Sequence, residues 1–210
     1  MGDIDAVFIW IPKCAGSTVH KMLDCPMYRH DYQRKEFLQD PKGIVTFGHA
    51  KYSKLDTPKG YSPFKFAFVR NPYERMVSLY TYHRKNRGRF DGGFLEYVQM
   101  ISEGITPVGA FNVRGFSPCN PQIDWIKNEE IDFIGRVEHF ERDINYVFDR
   151  LGLRRRKIQH CNSSEHTFYA DYYCPESQAI VEDFYREDFE RFGYDRCLLH
   201  SEPTKTQVSR

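Results

Sequence analysis

Long apolar runs are missing from this sequence of 210 residues. A membrane-spanning helix needs about 20 consecutive apolar residues, and no stretch approaches that length, so we expect no membrane partner. The chain starts MGDID, which is acidic, whereas a secretory signal begins with basic residues. These two absences predict a cytoplasmic protein.

An excess of charge of either sign is missing as well. The 30 lysines and arginines nearly balance the 29 aspartates and glutamates, for a formal net charge of +1. Proteins that bind nucleic acid or anionic membranes through a general electrostatic field carry a strongly basic surface. We therefore expect no nucleic acid partner, and any anion site must be local.

Paired cysteines are the third absence. The six cysteines include no C-x-x-C pair, and their density is too low for a disulfide scaffold, so we expect mostly reduced thiols. The spacing of His160, Cys161, His166 and Cys174 matches no common structural zinc site. We therefore predict that the protein holds no metal.

A short apolar run does occur near the start of the chain, and a polar loop follows it. The run 6–11 has no polar alternation, which is typical of a strand buried on both faces of a parallel sheet. After the loop, Ser17 and Thr18 can cap a helix. Such a junction aims backbone N–H groups at one point, and Lys13 adds a positive charge there. The pattern indicates either an oxyanion site or a plain turn with a solvated lysine.

Three further apolar runs, at 44–47, 64–69 and 131–135, are typical of strands, and segments of helical periodicity follow them. This alternation predicts a three-layer α/β fold around a central, mostly parallel sheet. The chain length suits a single domain, which we place at 1–198, followed by a polar tail at 199–210.

Polar side chains follow the first three predicted strands directly. In parallel sheets, ligands bind outside the carboxyl ends of the strands. Lys13, His49 and Arg70 each stand just after such an end. We therefore expect these three side chains to converge on one edge of the sheet.

The helix after the third strand has a well-specified start. Asn71 is a good N-cap, and Glu74 stands three residues later, as in a capping box. The helical periodicity predicts that an apolar stripe is buried and that Arg75, Ser78 and Tyr82 lie together on another face of the helix.

Two motifs, in order along the chain, resemble those of the 3′-phosphoadenosine-5′-phosphosulfate (PAPS)-dependent sulfotransferases, in particular the carbohydrate branch with the uronyl 2-O-sulfotransferases. The sequence PKCAGST at 12–18 is similar to the family's 5′-phosphosulfate loop, and RNPYERMVS at 70–78 to its 3′-phosphate motif. Shorter similarities continue to Tyr194. One departure is Cys14, where the family has threonine or another small residue, and a thiol there would make the site sensitive to oxidation.

The resemblance implies a P-loop NTPase-like domain and a role for each motif. PAPS would be the co-substrate and 3′-phosphoadenosine 5′-phosphate (PAP) the product, with no metal in the reaction. Lys13 would contact the oxygen between phosphate and sulfate and stabilise the leaving group. Arg70 and Ser78 would bind the 3′-phosphate. The 5′-phosphosulfate would be held by Pro12, Lys13, Cys14, Ala15, Gly16, Ser17 and Thr18.

An acceptor hydroxyl loses a proton as it attacks sulfur, so a general base is needed. His49 is the candidate, because histidine titrates near neutral pH and the 2-O-sulfotransferases place their proposed base after a similar strand. Glu138 is the alternative base. The acceptor would be a small molecule or a carbohydrate, selected by the segments 28–41 and 111–122. The sequence does not indicate an oligomeric state.

Two other functions stay open at this point. The first is a small-molecule or nucleoside kinase of the same fold, although the order G-x-x-x-x-G-K-[ST] is absent. The second is a non-catalytic nucleotide-binding protein, which would bind the donor without turnover.

Overall fold

The structure is a computed structural model, and it describes residues 5–29, 31–39, 42–51, 60–85, 90–107, 117–127, 129–158 and 168–198. The strands are β1 Ala6–Ile9, β2 Ile44–Thr46, β3 Phe64–Val69 and β4 Phe133–Arg136. The α-helices are α1 Gly16–Leu23, α2 Asp31–Gln39, α3 Pro72–Lys85, α4 Phe94–Ser102, α5 Phe140–Arg150, α6 Pro175–Phe184 and α7 Arg186–Phe192. Short 3-10 helices span Gln122–Trp125, Val137–His139 and Tyr169–Tyr172.

The strands form one parallel sheet in the order β2-β1-β3-β4. Val7 of β1 lies opposite Val45 of β2 on one side and Lys65 of β3 on the other. The chain therefore leaves β1 in one direction to reach β2 and returns to the opposite side for β3. Ligand crevices in open α/β sheets form where the strand order reverses in this way. In this sheet the rule places the crevice between the ends of β1 and β3. The parallel sheet with flanking helices confirms the predicted α/β fold.

The sheet is buried because helices and loops cover both of its faces. The four residues of β1 are at most 3% exposed, as the unbroken apolar run predicts. Phe8 stacks on Phe66 of the neighbouring strand, with ring centroids 5.3 Å apart. Residues of α1 and α5 belong to the same hydrophobic cluster, including Val19 and Phe148.

A second hydrophobic cluster joins α3, α4, α6 and α7. Helix α3 is buried over most of its circumference, so the predicted division into a buried and a polar face is too simple. Arg75 is fully buried and Ser78 is 4% exposed, whereas Tyr82 is 42% exposed. Tertiary packing of other helices around α3 explains this, because periodicity reports only the apolar side of a helix.

The C-terminal part contains two helices, α6 and α7, with Tyr185 between them. The chain turns at Tyr185, whose side chain is fully buried and donates a hydrogen bond to the Cys119 carbonyl at 2.8 Å. Among the described residues, no helix has the length and apolar character needed to cross a membrane. The predicted tail at 199–210 lies outside the described residues.

Candidate functional site

The loop after β1 has an unusual backbone. Lys13 and Ala15 both have positive φ angles, of 67° and 57°, although neither is glycine. Such conformations cost free energy for residues with a Cβ, and they concentrate at functional sites. Alternation of left-handed and right-handed residues turns successive N–H groups toward one point and forms an anion-binding concavity. The loop backbone is therefore suited to hold an oxyanion.

Helix α1 begins at Gly16, before the two residues that are predicted to cap it. Its N-cap is Ala15, which supplies no side-chain hydrogen bond, so Ser17 and Thr18 lie in the first turn instead of capping it. The Thr18 amide donates to the Ala15 carbonyl at 2.9 Å. The amides of Gly16 and Ser17 are the first of the helix, and such amides have no partner within a helix. These two groups are thus the donors best placed for a ligand.

Glycine at position 16 is required by a close approach of Trp10. A Cβ on Gly16 would lie 1.9 Å from Nε1 of the Trp10 indole, far inside contact distance. The same indole stacks on the His20 ring, with centroids 5.4 Å apart. Trp10 therefore packs directly against the start of α1.

Lys13 lies in a positively charged environment at the crevice. Burial and, to a smaller extent, the positive charges of Arg70 and Arg75 together lower the pKa of Lys13 to about 8. The Lys13 Nζ lies 4.4 Å from the ring centroid of Tyr82 on α3. The structure thus brings Lys13 and Arg70 together, as the sequence predicts, and their combined charge favours an anion between them.

Arg70 leaves the end of β3 just before α3. Its Nε donates to Glu74 at 3.1 Å, and the Arg70 side chain is 18% exposed. Within the described part of the chain, no residue accepts a hydrogen bond from Nη1 or Nη2 of Arg70, so both can serve a ligand. Ser78 is buried two turns into the same helix.

The start of α3 is capped, but not entirely by the predicted residues. The Asn71 side chain accepts a hydrogen bond from the Tyr73 amide at 2.9 Å, which confirms the N-cap. The Asn71 amide, however, donates to Glu138, because Glu74 pairs with Arg70 instead. The second Glu138 oxygen accepts from the Tyr194 hydroxyl at 3.0 Å. Glu138 therefore stabilises the start of α3. Because both of its oxygens already accept hydrogen bonds, Glu138 is the weaker candidate for the general base.

His49 follows β2 and is anchored from both sides. Its Nδ1 lies 3.0 Å from the Trp10 carbonyl, and Trp125 donates its indole N–H to the His49 carbonyl at 3.3 Å. A carbonyl oxygen only accepts, so the neutral ring carries its proton on Nδ1 and its lone pair on Nε2. Burial lowers the pKa of His49, and the positive charges of Arg29 and Lys13 lower it as well. The hydrogen bond to the Trp10 carbonyl has the opposite effect, which is smaller than the effect of burial.

Cys14 is buried within the loop, and this contradicts the expected sensitivity to oxidation. The side chain is 1% exposed, and burial raises the pKa of its thiol to about 12. Oxidation proceeds through an accessible thiolate, which Cys14 does not provide. Its Sγ lies 3.0 Å from Oε1 of Gln122, to which the thiol donates.

Gln122 and Arg75 are site residues that sequence reasoning missed. Gln122 is fully buried and contacts both backbone polar groups of Arg70. The Arg75 guanidinium is fully buried and donates to the carbonyls of Pro12 and Pro118. Periodicity does not distinguish a buried polar residue from a solvated one, and Gln122 falls only among the shorter similarities that continue to Tyr194, to which no role is assigned.

Several predicted features fall partly outside the described residues. These are 111–116 of the acceptor segment and, from the cysteine and histidine group, His160, Cys161 and His166. The other acceptor segment, 28–41, contains helix α2. Among the residues that the structure describes, no group of three or more acidic, histidine or cysteine side chains is arranged to hold a metal ion.

Comparison with known proteins gives matches of three kinds. A family model described as the Sulfotransferase family matches residues 2–195. An uncharacterised protein of Archaeoglobus fulgidus is 33% identical over 90 residues, which are 42% of this chain and 67% of that protein. Solved structures of sulfotransferases have the same fold.

One such structure is the mouse sulfotransferase SULT7A1 complexed with PAP, with a TM-score of 0.60 at 14% identity over 89% of this chain and 85% of the mouse chain. Another is a sulfotransferase from Alicyclobacillus acidocaldarius, with a TM-score of 0.56 at 12% identity over 91% of this chain and 94% of that chain. The family match extends over nearly the whole sequence and confirms the predicted enzyme class. The chain belongs to the Sulfotransferase family.

Proposed function

We propose that the protein transfers a sulfuryl group from PAPS to an acceptor hydroxyl, with the 5′-phosphosulfate on the loop 12–18 and the 3′-phosphate on Arg70 and Ser78. The observation that carries this proposal is the meeting of the two junctions at the sheet crevice. Lys13 and Arg70 lie close enough for the charge of one to lower the pKa of the other. A donor with phosphates at both ends of its ribose would neutralise both. The mouse neighbour, whose structure contains PAP, supports this choice of donor.

The 5′ side of the site would stabilise the leaving group. As the sulfur forms a bond to the acceptor oxygen, its bond to the bridging phosphate oxygen breaks, and negative charge develops on that oxygen. Lys13 would donate a hydrogen bond there, while the amides of Gly16 and Ser17 bind the phosphate. Donors fixed in place before the reaction need no rearrangement as charge develops, which makes them effective. With a pKa of about 8, Lys13 is mostly protonated at neutral pH.

The 3′ side would select the donor. The Arg70 fork presents Nη1 and Nη2, and a guanidinium matches phosphate oxygens in a bidentate geometry. The Ser78 hydroxyl would add a neutral donor. Nucleotides without a 3′-phosphate would make no bond to Nη1 and Nη2 of Arg70, so ADP and ATP should bind more weakly.

His49 would act as the general base. Its Nε2 carries the lone pair, because Nδ1 donates to the Trp10 carbonyl. The lowered pKa keeps the ring neutral at physiological pH, so it can accept the proton that the acceptor hydroxyl loses. Glu138 is less suited, since both of its oxygens already accept hydrogen bonds.

The acceptor we propose is a hydroxyl of a carbohydrate, on the strength of the motifs similar to the carbohydrate branch. The position of Tyr28, at the start of the segment 28–41, supports a role of this segment in selecting the acceptor. The Tyr28 amide donates to the Thr46 carbonyl at 2.8 Å, so the segment begins beside the edge strand that leads to His49.

A ligand comparison tests the proposed donor. Thermal unfolding and calorimetry would be measured with PAP, AMP, ADP, and ATP with magnesium. A ligand at 100 times its dissociation constant adds roughly 2.7 kcal/mol of stability, so selective binding of PAP would be plain. Stabilisation by PAP well beyond AMP and ADP is expected. A preference for ATP with magnesium would instead favour the kinase, and PAP binding without turnover on a broad carbohydrate panel would favour a non-catalytic protein.

A further inference from the structure

The Gln122 carboxamide lies beneath the proposed donor site with every hydrogen-bonding position in use. Its Oε1 accepts from the Arg70 amide at 2.8 Å and from the Cys14 thiol at 3.0 Å. Its Nε2 donates to the Arg70 carbonyl at 2.9 Å and to Asp188 at 3.2 Å. A carboxamide has two N–H donors and an oxygen with two lone pairs, so this group is fully satisfied.

These four contacts join the two junctions of the site. The paired bonds to Arg70 imitate the pairing of a neighbouring strand and fix the direction in which Arg70 leaves β3. The bond from Cys14 reaches the middle of the loop after β1. A single buried side chain, 0% exposed, therefore contacts both segments proposed to bind phosphate.

The support behind Gln122 is also buried. Asp188 of α7 is 0% exposed and accepts from the amides of Gln122 and Ile123 at 2.8 and 2.9 Å, which holds the 3-10 helix in place. The Arg75 side chain also connects the loop to the region of the 3-10 helix, because it donates hydrogen bonds to the carbonyls of Pro12 and Pro118. The carboxamide is thus fixed from behind and cannot turn without losing bonds.

We propose that Gln122 is a positioning residue that sets the spacing between the 5′-phosphate and 3′-phosphate subsites, so that one donor molecule can occupy both. This inference rests on the proposed function. Gln122 does not touch the ligand in this scheme. It acts through Arg70 and Cys14, and its effect is to make the two phosphates bind together better than either would alone.

The chemistry of the position excludes close substitutes. Glutamate has the same shape, but its second oxygen would face the Arg70 carbonyl and the Asp188 carboxylate, which are both acceptors. Methionine has a similar length and no hydrogen-bonding group that could replace the amide. Gln122→Met therefore removes the link while nearly preserving volume, and Gln122→Glu replaces two attractions by repulsions.

The test is the affinity of three ligands for the full chain, measured by calorimetry: adenosine 5′-phosphate, adenosine 3′-phosphate and PAP. In the wild-type protein PAP should bind far more tightly than either monophosphate. Gln122→Met should weaken PAP binding at least about tenfold while each monophosphate changes by less than about threefold. Gln99→Met is the matched control, because Gln99 bonds to Glu176 on the surface of α4 and α6, and it should leave all three affinities unchanged.

The outcomes separate the two proposals. A wild-type protein that binds PAP no better than adenosine 5′-phosphate contradicts the proposed function itself. A wild-type preference for PAP that Gln122→Met retains, or a loss of equal proportion for all three ligands, overturns the positioning role alone. If Gln122→Met does not fold, Gln122→Asn takes its place, because it keeps the carboxamide but is one methylene too short to contact both segments, and the same pattern is expected. Circular dichroism and the unfolding temperature check that each variant is folded.

Discussion

The junctions after β1 and β3 lead from a buried strand to a helix at the same edge of the sheet, yet they are built in opposite ways. The first has two residues in the left-handed region and an N-cap without a capping side chain. The second has the Asn71 cap, the Glu138 carboxylate that accepts from the Asn71 amide, and an ion pair between Arg70 and Glu74. The first junction has backbone amides that can bind a ligand. In the second junction the amides of Asn71 and Tyr73 already donate to side chains, and the Arg70 side chain is the group available to a ligand.

This difference indicates how one site can bind two phosphates by separate means. In the proposed function, backbone amides of a constrained loop would bind the group at which the reaction occurs, where fixed donors are most valuable. A guanidinium at a stable helix start would bind the distant group that identifies the donor. The strain of the first junction and the stability of the second suit these roles.

The largest expected effect comes from removing Lys13 at the first junction. Lys13→Ala should lower kcat by roughly 100-fold to 1000-fold, because a donor to developing charge is lost, with a smaller effect on PAP affinity. Steady-state kinetics and calorimetry would measure the two quantities. Lys127→Ala, which removes an exposed lysine paired with Glu187, is the control. An unchanged kcat for Lys13→Ala would contradict the leaving-group role.

The matching change at the second junction is Arg70→Ala. A hydrogen bond to a charged group contributes about 1.5–3 kcal/mol, so PAP affinity should fall by roughly 10-fold to 150-fold. Affinity for AMP, which has no 3′-phosphate, should change little. Arg155→Ala removes an exposed arginine paired with Asp149 and serves as the control. Equal weakening for PAP and AMP would show that Arg70 does not recognise the 3′-phosphate.

Stability variants sharpen the comparison between the two helix starts. Gly16→Ala places a Cβ against the Trp10 indole and should cost about 1–3 kcal/mol of unfolding free energy. Asn71→Ala removes the cap and should cost about 1 kcal/mol. Urea unfolding would measure both. If Asn71→Ala were the more destabilising of the two, the second junction would depend on its cap more than the structure indicates.

The smallest effect is a dependence on pH. The free enzyme should lose kcat/KM above a pH of about 8, as Lys13 loses its proton, and Lys13→Arg should remove this alkaline decline. The lowered pKa also affects folding. The unfolded chain binds this proton more tightly, so Lys13 makes the unliganded fold more stable as pH rises from about 8 to 10.5. An alkaline decline that persists in Lys13→Arg would assign it to another group.

Local patterns in the sequence determined the architecture and led to the main residues of the proposed site. The apolar runs fixed the strands, because burial on both faces allows no polar alternation. Asn71 fixed the start of α3, because a capping side chain acts within one turn. The positions of Lys13, His49 and Arg70 after strand ends predicted their common edge, because parallel strands all end on the same side.

Only the tertiary structure decided which polar residues are buried and which bonds they make. Glu138 caps α3 in place of Glu74, Cys14 is sealed inside its loop, and Gln122 joins the two junctions across 108 and 52 residues of sequence. Each of these depends on partners distant in the chain, and a buried polar group is stable only where such partners complete its hydrogen bonds. Periodicity contains no information about those partners, so the sequence by itself could name the ends of the site but not the link between them.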